Sequence, residues 1–252
     1  MSIQKLVLFT WILFSNFCWS ATPAQVEQYL FVSHTEEELL SLEKNFSFMQ
    51  NHLKNENNTT YDMQLLSLRF KEYITKNISD DEMVEILDNY KNVVLMQFIN
   101  ASIEAKKHDL NETNQYVKAL KANPEAAIRI TLIHKISTFL YPKEAILVLF
   151  DNLMTPLMKQ GIGKEKVNDT ILKEMRKNYV TMMLKTAKDE TLFAARDFTM
   201  QELETLLKIA KTSAVAHESK VVFAAMAYAL RDFFTSIAQH YDIQKHQTHT
   251  TK

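Results

Sequence analysis

An all-α fold, a multi-helix bundle of two similar halves packed together, is what this sequence predicts. Three observations carry that expectation. The 252-residue chain has two glycines, where average usage of about 7% would supply roughly 18. Folds that depend on tight turns at positive φ, such as β-sandwiches, hairpin meanders and phosphate-cradling loops, are poorly served by such a composition. Apolar residues recur at helical spacing in every long segment. A Ser/Thr-x-x-Glu-apolar signature, the reciprocal capping box of a helix start, recurs along the chain.

Taken in order, residues 1–20 read as a secretory signal peptide. Lys5 supplies the positive charge, Leu6–Trp19 the apolar run, and Cys18-Trp19-Ser20 the small residues before a cut at Ala21. The run is short for a span of roughly 20 residues, and an uncleaved anchor is the alternative. Nothing later is long enough, so no stable membrane span is expected after cleavage. Cys18 is the only cysteine and leaves with the signal, so the rest of the chain must be stable without disulfides or thiolate metal sites. Seven Asn-x-Ser/Thr sequons occur, at Asn45, Asn57, Asn58, Asn77, Asn100, Asn111 and Asn168. They point to a eukaryotic glycoprotein, but an Asn/Lys-rich bacterial composition also produces them. The helical setting of Asn77 and Asn100 favours the bacterial reading. The expected location is therefore periplasmic or secreted.

The body of the protein is expected over 21–240, with a polar tail at 241–252. Capping boxes begin at Thr35, Ser79 and Thr199, and Tyr141-Pro142-Lys143-Glu144 is a fourth, proline-led start. Ile78–Lys91 lies over Phe198–Lys211 at a constant offset, with Glu82 over Glu202, Met83 over Leu203 and Ile86 over Leu206. Two similar halves follow, about 24–122 and 124–240, meeting near Asn123-Pro124. Residues 21–123 carry 10 basic and 16 acidic side chains, and 124–252 carry 18 and 14. This imbalance suits docking of complementary faces, or it is drift at solvated positions.

Leu39, Leu42 and Phe46 mark a helix over about 36–53, and Lys54–Thr60 a polar loop. Met63, Leu66, Phe70 and Ile74 mark a helix over 61–76. From residue 80, Met83, Ile86, Tyr90, Val94 and Phe98 continue one helical face. In the second half, Ile130, Ile133 and Ile136 form one seam, and Ile146, Leu149 and Leu153 another. Gly161-Ile162-Gly163 is a turn, followed by a long helix through Ile171, Met175 and Tyr179. Val221–Leu230 is apolar almost all round and should be the central buried helix.

No catalytic constellation emerges. His217-Glu218 opens a zincin-like motif, but Val221 stands where the second histidine is required. Glu104 and His108 sit at i, i+4, a spacing that serves a surface hydrogen bond more readily than a two-ligand metal site. His240, His246 and His249 belong to the tail, a poor preformed metal site. Asp80, Asp81 and Glu82 resemble a hydrolytic carboxylate pair, but a capping box explains them. Basic residues are dispersed and the net charge is −1, so no nucleic-acid partner is expected. No catalytic, cofactor-binding or metal residues are assigned, and no cofactor is expected.

The aromatic-Ser/Thr-x-x-Glu-Leu-x-x-(Ile/Leu)-(Ile/Leu)-x-x-(Tyr/Phe) element, carried here by Ile78–Tyr90 and Phe198–Ala210, together with the signal peptide, resembles a bacterial periplasmic family catalogued as domain of unknown function 2059. The Pro and Gly of that family's following turn are missing at Asn92-Val93-Val94-Leu95 and at Thr212–Ala216. The resemblance implies an all-α exported protein and supplies no site residues. The functional expectation is an exported, non-enzymatic helical protein acting through protein–protein contacts. The alternative is a carrier or sensor of an apolar ligand held between the halves.

Overall fold

A computed structural model describes residues 20–52, 61–159 and 168–240. The signal segment, the loop through Asn57 and Asn58, the Gly161–Gly163 turn and the tail histidines His246 and His249 lie outside those residues. Every named element is helical. A single bridge pairs Ser20 with Ser79, and Ala21 N donates to Ile78 O at 2.9 Å.

In chain order the α-helices are α1 (Pro23–Val32), α2 (Thr35–His52), α3 (Gln64–Asn77), α4 (Asp80–Asn89), α5 (Val93–Lys107) and α6 (Leu110–Ala122). A 3₁₀ turn at Pro124–Ala126 leads into α7 (Ala127–Leu140). Next come α8 (Lys143–Leu149), a π turn at Phe150–Met154, α9 (Thr155–Lys159), α10 (Asp169–Ala194), α11 (Met200–Ala210) and α12 (Ser213–His240). Pro156 has no N–H to give to the preceding turn, and the wide π turn falls just before it.

Among the described residues three hydrophobic clusters form, two of them large. In the first, Val26, Tyr29 and Leu30 of α1, Phe70 and Ile74 of α3, and Met83 and Ile86 of α4 close on α12. The α12 side of that contact is Ala214, Val221, Ala225 and Ala229, whose small side chains let the helices approach closely. In the second, Leu95 and Phe98 of α5, Val117 of α6, Ile133 and Ile136 of α7, and Leu203 and Leu206 of α11 surround Leu192 and Ala194 of α10. Ala227 of α12 also meets Leu153 and Leu157, so α12 is the central helix that 221–230 promised. The cores cut across the Asn123-Pro124 junction, because α12 crosses back to cover the N-terminal helices.

The helix starts at Ser79 and Thr199 form as full capping boxes. Glu82 N donates to Ser79 Oγ at 3.3 Å and Ser79 N to Glu82 Oε2 at 3.0 Å. The matching distances at Thr199 and Glu202 are 3.2 and 2.7 Å. Thr35 behaves differently. It is the first residue inside α2, and its hydroxyl bonds the Ser33 hydroxyl at 2.7 Å. His34, at φ 57°, instead lends its carbonyl to Glu38 N. Pro142 itself is the N-cap of α8, without a side-chain cap. A box not anticipated closes at Thr22 and Gln25, with Pro23 in the first turn. The single helix expected from 80 through 99 is two, because Asn92 stops the chain and caps α5 through the Val94 amide at 2.9 Å.

Beyond α10 the chain turns sharply, exposing carbonyls that a helix would have satisfied. Arg129 of α7 supplies the missing donors. Its guanidinium reaches Phe198 O at 2.6 Å, Arg196 O at 3.0 Å and Ala195 O. Among the described residues no helix is long and apolar enough to cross a membrane.

Candidate functional site

A cavity of about 180 Å³ opens where α5 and α6 face the C-terminal part of α10. Its walls come from both sides of the Asn123-Pro124 junction. Ser102, Lys106, His108 and Thr113 contribute from one side, and Tyr141, Glu190, Thr191 and Phe193 from the other. The sequence brings them together through helix starts and stops. His108 ends α5, and Asp109 caps α6 by accepting from Asn111 N at 3.0 Å. Tyr141 terminates α7 ahead of Pro142.

The polar groups in the lining are unevenly committed. Ser102 Oγ donates to Phe98 O at 2.8 Å, and Thr191 Oγ1 to Ala187 O at 2.6 Å. Lys106 Nζ pairs with Glu38 of α2. His108 Nδ1 is 2.8 Å from Glu112 Oε2. An ionised carboxylate can only accept, so Nδ1 carries the proton there. Phe193 is 2% exposed and meets His108 edge-on at 5.4 Å. Burial pushes the Tyr141 phenol up to about 12, and the charges of Glu190 and Glu38 add to the shift. Burial also raises the Glu190 carboxyl, against the pull of Lys106, although the residue keeps exposed surface.

A second polar cluster lies inside the first core. Tyr90 Oη donates to Glu218 Oε1 at 2.5 Å, and the Tyr29 hydroxyl bonds the same carboxyl. The two tyrosine rings meet edge-on at 5.9 Å. Glu218 is half-buried as a residue, with its carboxyl enclosed by protein. Burial raises it to about 7, which the two phenol donors only partly offset. His217 Nδ1 lies 3.0 Å from Glu82 Oε1 without the alignment of a hydrogen bond.

Of the residues singled out from sequence, His108 lines the cavity, Glu218 belongs to the second cluster with His217 beside it, and the others fall elsewhere. Glu104 pairs with Lys107, not with His108. Asp80 accepts from Gln25 Nε2 at 2.6 Å and Glu82 closes its capping box, so this acidic run ties α4 to α1. Glu190 carried no sequence signal, and Glu218 and Tyr141 stood out only in a broken zincin-like pair and ahead of a helix start, because the groups they meet are far away in the chain.

A shallow groove also lies between α7 and α11. Ile128, Leu132, Met200 and the stem of Lys135 line it, with Thr131 and Glu204. Ile128 is 75% exposed. No family model matches the chain, and comparison with curated proteins and with solved structures finds no match.

Proposed function

We propose that the chain is an exported, non-enzymatic helical protein that acts through protein–protein contacts in the periplasm or outside the cell. The α7–α11 groove carries this reading. Ile128 and Leu132, one turn apart on α7, and Met200 at the start of α11 give an apolar floor between two helices. Lys135 and Glu204 set one charge of each sign at its rim. That arrangement suits the apolar face of an amphipathic helix from a partner protein. The resemblance of Ile78–Tyr90 and Phe198–Ala210 to the exported family of unknown function points the same way.

The test is proximity labelling in the source organism with the native chain and with Ile128→Glu. Loss of specific labelled neighbours in the variant, at an unchanged unfolding midpoint, supports the reading. An identical set of neighbours removes the groove as the contact surface. A second reading, a carrier or sensor of a ligand held between the two halves, is favoured by the position of the cavity, whose walls come from both.

A further inference from the structure

We infer that the cavity between α5, α6 and α10 binds a small organic cation, a protonated amine of about the bulk of benzene, with its ammonium at Glu190. The inference rests on the carrier reading and names the ligand chemistry. Size comes from volume. An apolar cavity of about 150 Å³ takes up benzene, and this one measures about 180 Å³.

Charge selection comes from which polar groups are already engaged. A hydroxyl has one proton to give. Ser102 and Thr191 give theirs to carbonyls one turn back, which leaves only lone pairs for a guest. Lys106 is paired with Glu38 through one of its three N–H groups, which offsets its charge, and His108 Nδ1 gives its proton to Glu112. Glu190 faces the cavity with no cation bonded to it by a described contact, Lys106 acting on it only at longer range. Counting Glu38 and Glu112 with the lining, negative charge exceeds positive. A guest that donates hydrogen bonds and carries positive charge meets these acceptors. A carboxylate would meet the charge of Glu190, with only the Glu38-paired Lys106 and hydroxyls such as that of Tyr141 to donate to it. The Tyr141 and Phe193 rings supply apolar walls for the body of the amine.

Calorimetric titration of the purified chain at pH 8 with benzylamine, benzyl alcohol and benzoate tests this. All three share a ring and differ in the charge of one small group. Benzylamine is expected to bind at least about tenfold more tightly than benzyl alcohol, with benzoate weakest. Glu190→Gln, nearly isosteric, is expected to remove that advantage. Ala105 also lines the cavity, and Ala105→Leu, which fills it and leaves Glu190 in place, is expected to abolish binding of all three. Equal binding of benzylamine and benzyl alcohol overturns the charge selection while leaving the carrier reading intact, and so does tighter binding of benzoate. Absence of saturable binding by any of the three overturns both. If Glu190→Gln does not fold, the order of the three ligands on the native chain decides.

Discussion

Glu218 in the first core and Asp189 beside the second are both enclosed carboxylates, and their pKa values are shifted in opposite directions. Glu218, in the first core, has two phenol hydroxyls and no cation in contact among the described residues. Asp189, beside the second core, lies between Lys121 Nζ at 2.8 Å and Lys185 Nζ at 3.0 Å. Burial acts on both in the same sense, raising the pKa. At Asp189 the two ammonium groups outweigh it and hold the carboxyl below its ordinary range. At Glu218 the neutral donors do not. Enclosure alone therefore does not fix the charge of a buried acid; the nature of its hydrogen-bond donors does.

The largest expected effect is at Glu218. In the folded chain its carboxyl keeps a proton up to about 7, against an ordinary value of 4.5. The folded state binds more protons across that window, so stability falls as pH rises through it. Glu218→Gln is expected to flatten that fall and to stabilise the chain by about 2–3 kcal/mol above pH 8. Urea denaturation of both proteins between pH 5 and 8 measures it. A variant that is less stable at pH 8 would mean that the ionised form is the one the core was built for.

Asp189→Asn should move stability the other way, by about 1 kcal/mol at neutral pH, since both lysines are substantially solvated. With its folded pKa below the ordinary 3.8, the contribution is complete above that value and is lost as pH falls beneath it. The difference between the native chain and the Asp189→Asn variant should thus vanish in acid. A difference that persists there would point to packing rather than charge.

The two capping boxes give a matched control with the smallest effects. Ser79→Ala and Thr199→Ala should each cost about 1 kcal/mol, one at the start of α4 and one at the start of α11. Ser79→Asp should recover most of the loss, because aspartate also caps and suits the helix dipole. Unchanged denaturation midpoints in both alanine variants would show that the boxes contribute nothing measurable.

What could be read from sequence was what the chain decides locally. The Ser79 and Thr199 boxes span four residues each, and both form as read. Thr35 has the same pattern, but only Ser33 and His34 separate it from the end of α1. The tight reversal through His34 places Thr35 inside the helix instead of ahead of it. Thr22 was missed because glutamine, not glutamate, closes its box. Asn92 divides a continuous apolar periodicity, which a search for periodicity alone reads through. The candidate site was illegible for a different reason. Tyr90 and Glu218 are 128 residues apart, and Lys106 and Glu38 are 68. No local pattern marks a residue whose partner is chosen only when helices pack.

The position of α12 has a consequence for biosynthesis. Phe70, Ile74 and Ile86 emerge from the ribosome well over a hundred residues before the alanines that cover them. Until residues 213–240 are made, the N-terminal helices have no lid, and their contacts with α12 span most of the chain. Closure over such separations is slow. A first core that waits for α12 stays open until residues 213–240 have been made. The same delay leaves apolar helix faces in need of a chaperone's protection.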